Sequence, residues 1–295
     1  MSSSADPVPA IIESEASGEI GDIFQDIRAV TGVDVVNLVW RRLAITEGAL
    51  PAVWTMLRPA YVSGLVAARA QEFRRDVCPP PLPKLTHAAL RAASVDRLGQ
   101  LTIRAILDSY QRTNAINLIG LGAVLARMSA HGPAIAMTSA SASPAALAEE
   151  EPTLPPLPPL PAMSALDSHV RELVESLNSV CEQDGRVIAS MYRHLAWWPG
   201  YLALIATLLA PIDKDGRMQV AIDDVRRRAV DFSRDVAAGL QPLDASLDDD
   251  VVRDIDEVLT LFTQHPISKM TAICGALSSA TPAPAPASTS AVQRC

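Results

Sequence analysis

Apolar residues recur along this chain at helical spacing, and no stretch sustains the alternation of a half-buried strand. Ile20, Ile23, Phe24 and Ile27 share one face of a helix that Ser17 can cap. A second helix is expected over 35–45. A third starts near Pro51, a good first-turn residue, and meets Pro59, which is expected to kink it. Two further helices fill 86–128. Asparagine is a poor interior helix residue, so Asn114 reads as a break and cap between them. The second half repeats the theme, with helices over 167–182, 187–196, 199–210 and 218–237 and a final pair within 248–277. The expected fold class is all-α, with no sheet.

The two halves also match residue by residue. Val36 to Ala44, followed by Gly48-Ala49-Leu50, aligns with Ile188 to Ala196, followed by Gly200-Tyr201-Leu202. The match extends from Thr55-Met56-Leu57 and Pro59 to Thr207-Leu208-Leu209 and Pro211 at a constant interval of 152, with no gap. Such halves are expected to pack as pseudo-symmetric repeats about a central pocket, because helix interfaces leave concave, mostly apolar gaps. Between them lies a Ser/Ala/Glu/Pro-rich linker ending in repeated Pro-Pro-Leu, where proline withholds the donor that helices need. The expected division is a first repeat over 1–133, a linker over 134–162, a second repeat over 163–278 and a disordered Ala/Pro/Ser/Thr tail over 279–295.

Composition narrows the chemistry. Of the 295 residues, 49% are hydrophobic but only 4% aromatic, which gives an aliphatic, helix-favouring core. The formal net charge is −8 and no basic stripe interrupts it, so nucleic acid is not an expected partner. Cys78, Cys181, Cys274 and Cys295 form no CxxC pair, which leaves neither a redox dithiol nor a zinc knuckle and fits a reducing cytoplasm. The first residues lack the basic and apolar regions of a leader, and the longest apolar run, 201–211, is too short to span a bilayer. No membrane partner, no metal and no other cofactor are expected. A homodimer is compatible with the sequence.

Several residues carry candidate chemistry. Ser190 and His194, four apart, share a helical face and could pair as nucleophile and base, or His194 could be a cap or surface residue. Asn114 and Asn117 could reach a pocket as an amide pair, and His265-Pro266-Ile267-Ser268 forms a comparable polar break in the second half. Arg41 and Arg193 hold matching positions in the repeat. Either could clamp a carboxylate or sit on a solvated helix face. Asp213-Lys214-Asp215-Gly216 imitates a calcium loop, but Pro211 and Ile222 would occupy two obligatory oxygen-ligand positions, so it reads as a helix-to-helix turn.

In order and spacing, a set of short motifs resembles the group I, non-stereospecific 2-haloacid dehalogenases. They are Ser17-Gly18-Glu19, Asp26-Ile27-Arg28, Arg41 with Leu43-Ala44, Gly48 with Leu50-Pro51 and Trp54, Pro81-Leu82-Pro83, Asn114 to Leu118, Leu195-Ala196 and Trp198-Pro199. More distantly, both halves are similar to carboxymuconolactone decarboxylases and alkylhydroperoxidase-like proteins. The resemblance implies an all-helical fold of two repeats with the active site between them, and an aspartate that activates water to displace halide. Anchored on Trp198-Pro199, the family's serine falls on Ser190 and its aspartate on Met191. A family threonine/glutamate pair falls on Ser63 and Ala67, and aromatic pocket positions fall on Val35 and Leu38.

A thioether cannot take a proton from water, so hydrolysis of haloacids is not expected. The sequence points instead to an enzyme of specialised metabolism acting on an apolar acyl or polyketide-like small molecule. The chemistry would be non-hydrolytic: cyclisation, isomerisation or elimination. His265, His194, Asn114 and Ser63 are the candidate catalytic groups. Leu38, Asn117, Ser190, Met191, Val35 and Arg41 are the candidate binding groups. The alternatives are a non-catalytic ligand-binding or scaffold protein, and a dehalogenase with a displaced base.

Overall fold

The computed structural model describes residues 8–33, 35–130, 156–181 and 187–283. These are all-helical, with no strand among them. The first half holds α1 (Gly18–Thr31), α2 (Leu38–Leu43), α3 (Ala49–Val62), α4 (Leu65–Asp76), α5 (His87–Ala92) and α6 (Arg97–Ser129). The second holds α7 (Ser168–Asn178), α8 (Ser190–Leu195), α9 (Pro199–Lys214), α10 (Arg217–Ala237), α11 (Asp249–Phe262) and α12 (Ser268–Ala280). Among the described residues, no helix is long and apolar enough to cross a membrane.

The interval of 152 reappears in the helix boundaries. It carries Leu38–Leu43 onto Ser190–Leu195 and Arg97, the first residue of α6, onto Asp249, the first of α11. It also carries the proline inside α3, Pro59, onto the proline inside α9, Pro211. Gly64 and Gly216 correspond as well. Both turn the chain in the left-handed region, at φ 76° and 78°, where only glycine sits without strain. The boundaries are compatible with two pseudo-symmetric halves.

The halves differ where proline intervenes. Helix α6 runs 33 residues without interruption. In the second half Pro266 occupies the position of Asn114 and lacks the N–H that the ladder needs, and the chain widens into a π turn over Thr263–Ile267 between α11 and α12. The break expected at Asn114 is therefore absent. Asn114 and Asn117 are buried, at 7% and 3% exposure, and their amides are engaged with side chains of other helices rather than competing for their own backbone. The chain breaks instead at 93–96, before Asp96 caps α6 by accepting from Gly99 N at 2.7 Å.

Helix α6 is the axis of the molecule, packed by α4, α10 and α12. Its close approach to α10 depends on Gly122, where an added Cβ would stand 2.4 Å from Ser233 Oγ. Its apolar face, including Ile103, Ile106, Ile119 and Val124, is fully buried. The second half extends past the boundary expected at 278. Thr281 is buried and bonds Tyr201 Oη at 2.7 Å, Leu85 N donates to Ala280 O, and Arg104 donates to Ser278 O and Thr281 O. From residue 284 the expected tail lies outside the described residues, as do 134–155 of the expected linker.

The end of the linker is bound to α8. Arg193 donates to Pro161 O from Nε and Nη2 at 3.0 and 2.9 Å, and Trp197 Nε1 donates to Pro159 O at 3.1 Å. The proline carbonyls are free to accept because an extended polyproline backbone forms no internal hydrogen bonds.

Candidate functional site: a polar seam along helix α6

Tyr110, Asn114 and Asn117 stand at i, i+4 and i+7 of α6 and so line one face. Short helix α8 presents Ser190, Met191 and His194 toward that face, and α12 brings Cys274.

At one end, Tyr110 Oη lies 2.7 Å from His194 Nδ1, with the rings 5.6 Å apart. Ser190 hydrogen-bonds the same phenol, and His194 also bonds the backbone of Pro158. A proline backbone can only accept, so the imidazole donates there and keeps Nδ1 as the acceptor for Tyr110 O–H. The result is a directed chain from Ser190 through Tyr110 and His194 to the linker. Burial pushes the His194 pKa down to about 4, opposed by the Pro158 bond and assisted by nearby Arg193. Burial likewise pushes the Tyr110 phenol up. Both groups are neutral at neutral pH.

In the middle, Asn114 Nδ2 reaches Cys274 Sγ at 3.9 Å, and Cys274 Sγ touches Met191 Sδ at 3.2 Å. Met191 and Cys274 are 1% and 0% exposed, and burial pushes the Cys274 thiol up to about 12, so it remains a thiol. No Asp or Glu is buried among the described residues. Asp184 lies outside them.

At the far end, Asn117 Oδ1 accepts from Trp40 Nε1 at 3.2 Å. Trp54 Nε1 donates to Asp26 Oδ2, which also pairs with Arg58.

The structure thus brings Asn114, Asn117, Ser190, Met191 and His194 onto one seam. Leu38 and Arg41 are half-buried on α2 beside Trp40. Three candidates, Ser63, Val35 and His265, lie elsewhere on the surface. Ser63 is exposed at the end of α3, its hydroxyl donating to Ala60 O, and Ala67 is exposed on α4. Val35 is 50% exposed. His265 is exposed on the π turn, and the position that corresponds to inward-facing Asn114 is taken by Pro266. Tyr110 and Cys274 escaped the sequence reading. The i, i+4 spacing of Tyr110 to Asn114 was the available signal for the first. Cys274 had none, being a lone cysteine in an apolar run. Arg217, Pro81 to Pro83, Thr207, Leu208, Pro211 and Ile212 line a separate cleft of about 450 Å³ that contains no candidate residue. No cluster of His, Cys, Asp and Glu able to hold a metal occurs among the described residues.

No protein-family model matches the chain, and no curated protein matches it. Solved structures do. One described as a D-2-haloacid dehalogenase mutant with D-2-CPA aligns with TM-score 0.68 and 19% identity over 92% of this chain and 96% of its own. A D-2-haloacid dehalogenase mutant aligns with TM-score 0.70 and 18% identity over 93% and 96%. A D-2-haloacid dehalogenase with L-LA aligns with TM-score 0.69 and 18% identity over 92% and 96%. At such identity the likeness speaks to architecture alone: this chain has a haloacid-dehalogenase-like, all-helical fold.

Proposed function

We propose that this chain is an enzyme built on a dehalogenase-like fold that binds an apolar acyl or polyketide-like small molecule along the seam between its halves. It would act without hydrolysis, by cyclisation, isomerisation or elimination. The observation that carries this reading is the Ser190–Tyr110–His194 chain, set beside Asn114 where Met191 occupies the position that the family resemblance gives to a water-activating aspartate. With Met191 packed on Cys274 and no buried carboxylate among the described residues, no carboxylate stands at that point to activate water as the family's aspartate does. The hydrogen-bonded chain can move one. A proton taken from a substrate carbon or hydroxyl by Ser190 Oγ is offset by transfer of the serine proton to Tyr110 and of the phenol proton to neutral His194 Nδ1. Reversing the path delivers a proton at a second position, which completes an isomerisation with no net change. Binding along the seam would supply the positioning that such reactions use.

A second reading is a ligand-binding or scaffold protein without catalysis, favoured by the complete burial of Met191 and Cys274 in contact. The third, a haloacid dehalogenase with a displaced base, is favoured by the fold likeness itself. Ligand capture on the full chain, followed by turnover of the captured molecule, separates the first two. Conversion by the wild type that falls at least tenfold in Ser190→Ala and His194→Gln supports the enzyme. Unchanged ligand refutes it.

A further inference from the structure

A closed loop of contacts runs through the first half. Trp40, bonded to Asn117, meets Trp54 edge to face with ring centroids 5.7 Å apart, and Trp54 meets Tyr61 at 5.7 Å. Tyr61 Oη in turn lies against Gly120, where an added Cβ would stand 2.5 Å away. Gly120 follows Asn117 by three positions on α6, so the two share a face and the loop closes. Within it Asn117 Nδ2 and Tyr61 Oη are buried and have no hydrogen-bond partner among the described residues. Their residues are 3% and 7% exposed. Interiors seldom leave such groups unmade. Turning the amide over does not help, because Trp40 N–H requires the oxygen where it stands.

The repeat shows what is missing. At the interval of 152, Asn117 corresponds to Lys269 and Tyr61 to Asp213. Both of those are satisfied by the protein. Lys269 Nζ donates to the backbone carbonyl of Asn178, and Asp213 Oδ1 accepts from Cys181 N and Sγ, each at 3.1 Å. Those groups come from the end of α7, which stops at Asn178 and lets the chain drop inward. The matching segment of the first half, Asp26 to Ala29, stays inside α1, which continues to Thr31. The first half therefore keeps inward-facing polar side chains at both positions and lacks the partners that answer them in the second, a peptide carbonyl for Lys269 and the Cys181 donors for Asp213.

We propose that Asn117 Nδ2 and Tyr61 Oη form a two-donor seat for a neutral carbonyl oxygen, walled by Trp40 and Trp54. The residues of the loop carry no charge and offer no countercharge to a carboxylate or halide, whereas a ketone, ester or thioester oxygen needs only the two donors. The inference rests on the proposed acyl ligand and names the group by which it is held.

The test uses the full chain and 2-heptanone carrying a ¹³C-labelled carbonyl as the probe. Its infrared carbonyl band reports donors directly. The wild type is expected to bind the probe. Tyr61→Phe is expected to move the bound band to higher wavenumber and to weaken binding about five- to tenfold, as loss of one hydrogen bond does. A crystal structure of the wild type with the probe decides independently of how the variant folds. Absence of binding, an unchanged band and affinity in Tyr61→Phe, or a buried water alone between the two donors overturns the seat. Loss of turnover in Ser190→Ala together with an unaltered Tyr61→Phe would overturn this seat and leave the proposed function standing. A seated carbonyl with normal turnover in Ser190→Ala would do the reverse.

Discussion

His194 makes stability depend on pH in a defined direction. Its pKa falls from an ordinary 6.5 to about 4 on folding because the ring is buried. A depressed folded-state value means that the unfolded chain binds more protons between these limits. The stabilisation is fully present above pH 6.5, declines as pH falls toward about 4, and is gone below it. The difference corresponds to about 3 kcal/mol across that window, at no more than about 1.4 kcal/mol per pH unit. His194→Gln keeps a neutral side chain with a donor and an acceptor but cannot titrate. Urea denaturation of both proteins from pH 8 to pH 4 isolates the contribution, because the carboxylates depressed by their partners, Asp26 and Asp254, are common to both. The wild type should lose stability relative to the variant between pH 6.5 and 4. Parallel pH profiles would show that His194 is not held neutral by burial, and the directed chain through Tyr110 would fall with it.

Leu43→Ala and Leu195→Ala, at matching and fully buried positions, should each destabilise by roughly 2–5 kcal/mol in chemical denaturation. A cost under about 1 kcal/mol at both would contradict their place in the core. Removing residues 279–295 should lower the thermal midpoint by several degrees, because Lys84, Leu85, Arg104 and Tyr201 all lose partners at Ser279 to Thr281. Removing only 284–295 leaves each of those bonds in place and should leave the midpoint unchanged.

Helical periodicity made the fold class legible, and the gapless match of Val36 to Ala44 with Ile188 to Ala196 located α2 and α8, each of which starts three residues later and ends one or two earlier than expected. The same interval, followed further, would have reached Arg97 and Asp249, but no identity marks those positions. Helix α4 went unseen because its outer face is rich in charge and its buried stripe is short, only Val66, Ala70 and Phe73. Asn114 misled for a physical reason: an inward-facing amide with a partner on another helix costs the helix little, and propensity cannot anticipate that partner. Ser190 and His194 were visible as a spaced pair. The tyrosine that joins them was not, since it stands 84 residues before His194 in sequence, on another helix. His265 was drawn inward by analogy with Asn114, but the register of the repeat pairs Asn114 with Pro266, and His265 is exposed on the π turn.

The most direct test of the account is halide release from 2-chloropropionate and 2-bromopropionate by the full-length wild-type protein. Loss of a general base lowers such a rate by about 10²–10⁴. With Met191 against Cys274 and no buried carboxylate among the described residues, release should not exceed that of buffer alone. Halide release that is abolished by Asn114→Ala would contradict this, and would return the seam to water-activating chemistry with its base elsewhere.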